Sequence, residues 1–376
     1  MAEYYIDSLA GSNDLSGTSP DAPRENLDGM KILAGDTVYF RRGSEYRFSP
    51  LTFGGEKGKP IIYSAYGDGE PPCFYGSKNV SEPYMWREFQ KNIWQLVSPP
   101  KSEVGNIVFD FGEECGELVM KAMSLDENGK WYYSDFGCGD KPSADASLLL
   151  FCEENPAVHY RDIELCLYGT RRLAGGSHVR FEGLHFLCSG ACGYAETNCE
   201  DIAFSECLFE FIGGCMRDKS RGIRFGNGIE LQSGGKDVKI ENCGFYNIYD
   251  SCFTTQGDGE KCGGFENISV QNCTFSDYGT AAYEIRDKIG KNVSFEFNVC
   301  QGAGAGFSML TDVSPRMSEI YPIPVGFHIF AWRINKKTDG GKIRIMSNIF
   351  RGLTAGGETL GSFISSDALS QIEKDF

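Results

Sequence analysis

Three acidic residues in the second half of the chain stand where paired-carboxyl chemistry could be done. Glu230 closes Gly228-Ile229-Glu230, Glu284 closes Ala282-Tyr283-Glu284, and Asp250 lies between them in Tyr249-Asp250. Hydrolysis of a glycosidic bond needs two carboxyls flanking it, about 5–5.5 Å apart in retaining enzymes and about 6.5–9.5 Å in inverting ones. An Asp in a turn usually bonds nearby backbone. Glu284, in Glu284-Ile285-Arg286-Asp287-Lys288, could equally pair with Arg286 or Lys288 on the surface. What lifts the three above those uses is convergence on one face, so the elements that carry them decide the matter.

Those elements are repeats. Six segments line up, at residues 178–186, 200–209, 236–245, 266–275, 291–300 and 341–350. Each reads roughly polar, Asn/Asp, apolar, x, apolar, x, x, Cys/Asn, x, apolar. Apolar residues alternate at period two and a polar turn follows, the mark of a strand with one buried face. Across the first five the interval is about 22 to 36 residues, with the surplus in Gly-rich loops such as 257–264. One such unit cannot bury its own apolar face, whereas coil stacked on coil can. The pattern predicts an all-β fold, a single-stranded right-handed parallel β-helix over residues 1–376. Cys207, Cys243 and Cys273 share one offset, continued by Asn298 and Asn348. A ladder of like residues at one corner explains them better than a metal site, since no CxxC pair is present.

The first 175 residues are less regular. Gly35-Asp36-Thr37-Val38-Tyr39-Phe40 and Pro60-Ile61-Ile62-Tyr63 are good strands. Further strands are expected at 107–110, 130–133 and 148–151, and a loop at 135–147. They read as first coils plus an inserted β-rich excursion around 78–150. No long amphipathic helix is expected.

Coils stack about 4.8 Å apart, so residues at one offset form a row at that pitch. Glu230 and Glu284 occupy one offset with Thr254 on the coil between, which separates the two acids by about 9–10 Å. Asp250 sits in the turn of the middle coil.

Two further stretches carry a resemblance. One is the start: Tyr4-Tyr5-Ile6-Asp7-Ser8, Gly11-Ser12-Asn13-Asp14, Gly17-Thr18-Ser19-Pro20, Gly35-Asp36-Thr37-Val38 and Ala65-Tyr66-Gly67. The other is Phe225-Gly226-Asn227-Gly228-Ile229-Glu230, leading to Tyr249-Asp250 and Thr254-Thr255-Gln256-Gly257. With the repeats between them, the chain resembles pectate-lyase-like right-handed β-helix proteins of carbohydrate metabolism, including glycoside hydrolase family 120 β-xylosidases. The resemblance implies a carboxylate pair in this region and, by likeness to that retaining family, Asp250 as nucleophile with Glu284 as general acid/base. Glu230 would supply a field or bond a sugar hydroxyl. Asn227, Gln256, Asp287, Arg286, His328, Asp312 and Trp332 are the candidate substrate binders. Asn227 could instead hold Glu230, His328 could be a structural histidine, and Trp332 a buried aromatic. The loop 311–324, with Asp312 and Arg316, interrupts the repeat and could wall a subsite.

The formal net charge of -16 argues against nucleic acid and anionic membranes as partners. No apolar run approaches the roughly 18–20 residues of a membrane span. Residues 1–7 lack a basic start and a long apolar run, so no signal peptide is read there. Fifteen cysteines then read as reduced thiols of a cytoplasmic protein. No cofactor is expected, although an acidic loop leaves room for structural calcium, and a homodimer closing the groove stays open. GxGxxG, P-loop, HExxH and Gly-x-Ser-x-Gly motifs are absent.

The leading expectation is a glycoside hydrolase cleaving short neutral oligosaccharides, xylo-oligosaccharides among them. A polysaccharide lyase or uronate epimerase would need a Lys, Arg, His or Tyr base, and Arg286, Lys288 and Arg316 keep it in play. A non-catalytic glycan-binding solenoid is the third reading.

Overall fold

The computed structural model describes residues 1–47, 53–169, 176–257, 263–306, 317–318, 321–322, 326–334, 341–351 and 372–375. The chain winds as a right-handed parallel β-helix whose coils present three faces. The first face runs from Glu3–Ile6 through Thr37–Arg41, Ile61–Tyr66 and Val179–Glu182. It continues through the later part of Tyr194–Ser205 and of Ile229–Glu241, then Phe265–Gln271, Lys291–Glu296, Ile343–Met346 and Ile372–Asp375. The second face stacks Glu45–Tyr46, Cys73–Tyr75, His185–Leu187, Leu208–Ile212, Gly244–Ile248, Thr274–Tyr278, Val299–Ala303 and Ile349–Arg351. The third face is made by residues 194–197 and 229–232, then Ser251–Gln256, Ala281–Arg286 and Phe327–Trp332.

The repeat signature has a physical cause at each position. Its Asn/Asp sits at a corner with left-handed backbone: Asp201, Asp237, Asn267 and Asn292 have φ between 51° and 57°. Asn and Asp tolerate that region better than other side-chain-bearing residues. They also bond upward, Asn267 Nδ2 donating to Asp237 Oδ1 at 2.6 Å and Asn292 Nδ2 to Asn267 Oδ1 at 2.8 Å. The apolar positions fall in register from coil to coil, Val179, Ile202, Val238, Ile268, Val293 and Ile343 forming one column. On the second face Phe186, Phe209, Phe245 and Phe275 stack with ring centroids 4.9–5.2 Å apart. Each buried aromatic contributes about 1.5–3 kcal/mol of burial.

The next corner is the cysteine–asparagine column. Cys207, Cys243 and Cys273 each donate to the carbonyl two residues back, at 3.2–3.4 Å. Asn298 Oδ1 then accepts from the Cys273 amide at 2.9 Å and Asn348 Oδ1 from the Asn298 amide at 2.8 Å. Small polar side chains there satisfy corner backbone that would otherwise be buried without partners.

Between Cys73–Tyr75 and Val179–Glu182 the chain leaves the coil for an excursion longer than 78–150. It builds one antiparallel sheet from Ser77–Asn79, Val104–Phe109, Glu114–Cys115 and Ile163–Leu167. A second sheet holds Trp86–Gln90, Ile93–Leu96, Glu117–Leu118, Lys130–Tyr133 and Leu148–Phe151. Trp86, Leu96, Trp131, Tyr133, Leu148, Leu150 and Ile163 form its own core. Among the described residues its one α-helix, Pro156–His159, is a single turn capped by Asn155. No described helix is long and apolar enough to cross a membrane.

Candidate active site

Period two decides what the third face shows. Ile229, Leu231, Phe253, Tyr283 and Ile285 point into the main core, so their neighbours point outward. Register then aligns Ala195, Glu230, Thr254, Glu284 and Phe330 in one outward row. Beside it runs a second row of Thr197, Gln232, Gln256, Arg286 and Trp332. Glu230 and Glu284 are two strands apart, a backbone separation of about 9–10 Å.

A chain of hydrogen bonds crosses four coils and ties this row together. Asn227 Nδ2 donates to Glu230 Oε2 at 2.6 Å, and Asn227 Oδ1 accepts from the Ser251 amide at 3.0 Å. Ser251 Oγ donates to Glu284 Oε2 at 3.0 Å, and the Trp332 indole N–H donates to Glu284 Oε1 at 2.8 Å. Glu230 also accepts from Gln232 Nε2 and, at 3.4 Å, from the Cys192 thiol. Both oxygens of each glutamate are thus held. Ser251 and Gln232 were not singled out in the sequence.

Asp250 lies in the turn before Ser251–Gln256. Its amide donates to the Gly226 carbonyl at 3.2 Å and its carbonyl accepts from the Thr280 amide at 2.8 Å, which clamps the turn to the coils on either side. The Phe225-Gly226-Asn227 stretch needs its glycine here: a Cβ on Gly226, at φ +143°, would meet Gly213 Cα at 2.1 Å. Behind the turn, the Arg224 guanidinium packs over the Tyr249 ring at 4.4 Å. The same guanidinium donates to Gly214 O, Gly105 O and Asn106 Oδ1 at 2.6–2.9 Å. The excursion therefore reaches the turn that carries Asp250. Complete burial pushes the Arg224 pKa below its ordinary value.

The centre of the two rows is buried, while Ala195 and Trp332 are half-buried and Thr197 is exposed. Asp250, Ser251, Thr254 and Glu284 are 0% exposed, Gln256 2% and Glu230 5%. Thr254 Oγ1 and Gln256 Oε1 have no hydrogen-bond partner among the described residues. Leaving such atoms unpaired costs about 1–3 kcal/mol each, so the site holds polar capacity that the protein itself does not use.

The remaining candidates divide. Arg286 and Arg333 face Asp287 at 3.7 and 3.1 Å, so Asp287 serves as their counter-ion at the edge of the site. The Trp332 ring lies parallel to Phe330, with Arg286 and Arg333 over it at 5.7 and 5.8 Å. His328 stands apart from the row. Its Nδ1 bonds the Tyr278 hydroxyl and its ring stacks on Phe350, both part of the main core's packing. Burial pushes its pKa down to about 4. Asp312, with Arg316, lies outside the described residues. Among the described residues, no group of three or more His, Cys, Asp or Glu is placed to hold a metal ion.

No protein-family model matches the chain, and no curated protein matches it in sequence. Solved structures do match in fold. The native GH136 lacto-N-biosidase from Eubacterium ramulus aligns over 93% of this chain with a TM-score of 0.51 at 15% identity. The chain spans about half of that protein, 52% of its length. A structure described as a glycoside hydrolase aligns over 93% of this chain and 88% of its own, with a TM-score of 0.51 at 10% identity. XylC in complex with xylose aligns more loosely, with a TM-score of 0.43 at 11% identity, over 93% of this chain and 76% of its own. The shared property is the right-handed β-helix fold.

Proposed function

We propose that the chain is a glycoside hydrolase that cleaves short neutral oligosaccharides on its third face. The observation that carries this reading is the outward row in which Glu230 and Glu284 flank Thr254, with both oxygens of each acid held by protein donors. Glycosidases place two carboxyls across the bond they cut, and Thr254 and Gln256 offer unused hydrogen-bonding atoms for sugar hydroxyls. The likeness in fold to solved glycoside hydrolases raises the prior without fixing the reaction.

In the retaining form, Glu284 gives its proton to the glycosidic oxygen as the C–O bond breaks and an Asp250 oxygen bonds the anomeric carbon. Water then replaces Asp250 and returns a proton to Glu284. Glu284 lies opposite Thr254 rather than Asp250, but Ser251, next to Asp250 in the chain, bonds Glu284 Oε2 at 3.0 Å, so the glutamate side chain reaches back toward the turn. A second reading, inversion by Glu230 and Glu284, is favoured by their two-strand spacing. Because Glu284 has no exposed surface, either route includes an opening step that admits the sugar to it. The described cysteines, held as thiols rather than disulfides, suit a reducing, cytoplasmic setting.

The test is to assay purified protein on chromogenic neutral glycosides beside Glu284→Gln, following the anomer of the first product by NMR. Release of sugar that falls on the order of 10²–10⁴-fold in the variant supports the reading. The product anomer chooses between retention and inversion. Ultraviolet absorbance of an unsaturated product from uronate polymers, without sugar release from neutral glycosides, would transfer the site to a lyase.

A further inference from the structure

We infer that Ser251 is a positioning residue that lets Glu284 both hold and surrender its proton; the inference rests on the hydrolase reading above. A general acid/base in a retaining glycosidase is protonated before the first step and charged after it. Glu284 is 0% exposed, so its protein partners must accommodate both states. The Trp332 indole on Oε1 can only donate. The Ser251 hydroxyl on Oε2 can donate or accept. With Glu284 charged, both groups donate to it. With the proton on Oε2, the hydroxyl turns to accept it while Oε1 keeps the indole bond.

Ser251 is itself held in place by its neighbours. Its amide donates to Asn227 Oδ1 at 3.0 Å and its carbonyl accepts from the Gly228 amide at 3.0 Å. The Asn227 amide cannot flip without losing two bonds, because its Nδ2 is given to Glu230. The hydroxyl therefore rotates about a fixed Cβ. Asn227 places Glu230 directly and Glu284 through Ser251, so one side chain sets the relation between the two acids.

The test uses Trp332 as a reporter that needs no substrate. The chain has four tryptophans, so a 15N-indole NMR spectrum has four signals, and Trp332→Phe assigns the one of interest. In the wild type that signal should titrate with Glu284, and Glu284→Gln should abolish the titration. Hydrogen bonds to a charged acceptor are about twice as strong as neutral ones. Removing the hydroxyl therefore costs the charged form more, and in Ser251→Ala the midpoint should move to higher pH. Ser251→Thr, which keeps the hydroxyl, should restore it. In turnover, Ser251→Ala should lower kcat roughly ten- to hundredfold with KM nearly unchanged, and Ser251→Thr should recover most of it. An unmoved midpoint in Ser251→Ala, or no recovery in a folded Ser251→Thr, overturns the inference. A midpoint that moves as expected in a protein that cleaves no glycoside supports Ser251's hold on Glu284 and removes the hydrolase reading alone.

Discussion

His328 sits with Nδ1 against the Tyr278 hydroxyl and its ring on Phe350, on the core side of a strand whose other face borders Glu284. Its folded pKa, about 4, is below the ordinary value of about 6.5. Between those values the unfolded chain binds a proton that the native state refuses. The unfolded state then binds more protons, so stability rises with pH across that window. The contribution is harmless above about pH 6.5 and is increasingly unfavourable as pH falls toward 4. Urea midpoints measured through this range should fall less steeply for His328→Gln than for the wild type. Parallel curves would mean that the imidazole titrates normally in the fold. The residue scale also shows what a sequence can reveal about a site. Glu230, Thr254 and Glu284 were legible because a repeat fixes offsets and offsets fix rows. Ser251 was not, since a serine at the head of a strand carries no periodic signal and its value comes from a hydroxyl aimed across coils. His328 looked available because rare residue types draw attention, while burial is decided by the packing of distant strands.

At the scale of elements, the solenoid coils were readable because corner and core positions repeat their chemistry, left-handed Asn/Asp at one corner and small polar residues at the next. The limits of the excursion were not, because its short antiparallel strands have no repeat and pair across long separations. Ile163–Leu167 joins Ser77–Asn79 from far along the chain. One seam that fastens it to the coil is ionic. Glu164 accepts from Arg47 through both oxygens, from Ser77 Oγ at 2.6 Å and from Asn79 Nδ2 at 3.0 Å. The glutamate side chain is 4% exposed and the arginine 31%. Removing one partner of a buried pair costs about 3–5 kcal/mol, and the exposure of Arg47 reduces this to about 2–3 kcal/mol. Glu164→Gln should lose that much stability in urea unfolding, and a loss under about 0.5 kcal/mol, the range of an ordinary surface change, would show that the seam is held by packing alone. The N-terminal signature has the same structural use. Asp7 Oδ1 accepts from the amides of Leu9 and Ala10 and from Ser44 Oγ, and Asp36 accepts from the amides of Ala2 and Leu33. These bonds brace the turns of the first coils.

For the molecule as a whole, two cores raise the question of how many cooperative units the chain contains. The solenoid core runs continuously from Ile6 to Ile345, while the excursion has its own around Trp131 and Tyr133. Each coil is stabilised by its neighbours, so the middle of the stack should open only with the whole. The excursion is joined sideways to the stack, by the Arg47–Glu164 seam, by Arg224, by the apolar cluster of Val108 and Cys166 with Cys188, Phe211 and Tyr249, and by bonds from Met216 to Glu103 and from Asn106 to Gly213, rather than by coil-on-coil stacking. The buried thiols report on both. Cys152 lies in the excursion core, and Cys243 lies mid-stack between Cys207 and Cys273. Pulsed alkylation in rising urea, with the labelled cysteines mapped by mass spectrometry, should find Cys152 reactive at a lower concentration than Cys243. Cys207, Cys243 and Cys273 should become reactive together. One shared midpoint for Cys152 and Cys243 would make excursion and solenoid a single unit. In that case the Arg224 contact with Tyr249 would couple the excursion's stability directly to the turn that carries Asp250 and Ser251. With separate midpoints, the excursion could unfold before the carboxylate row is lost, and activity measured between them would show whether the row works without it.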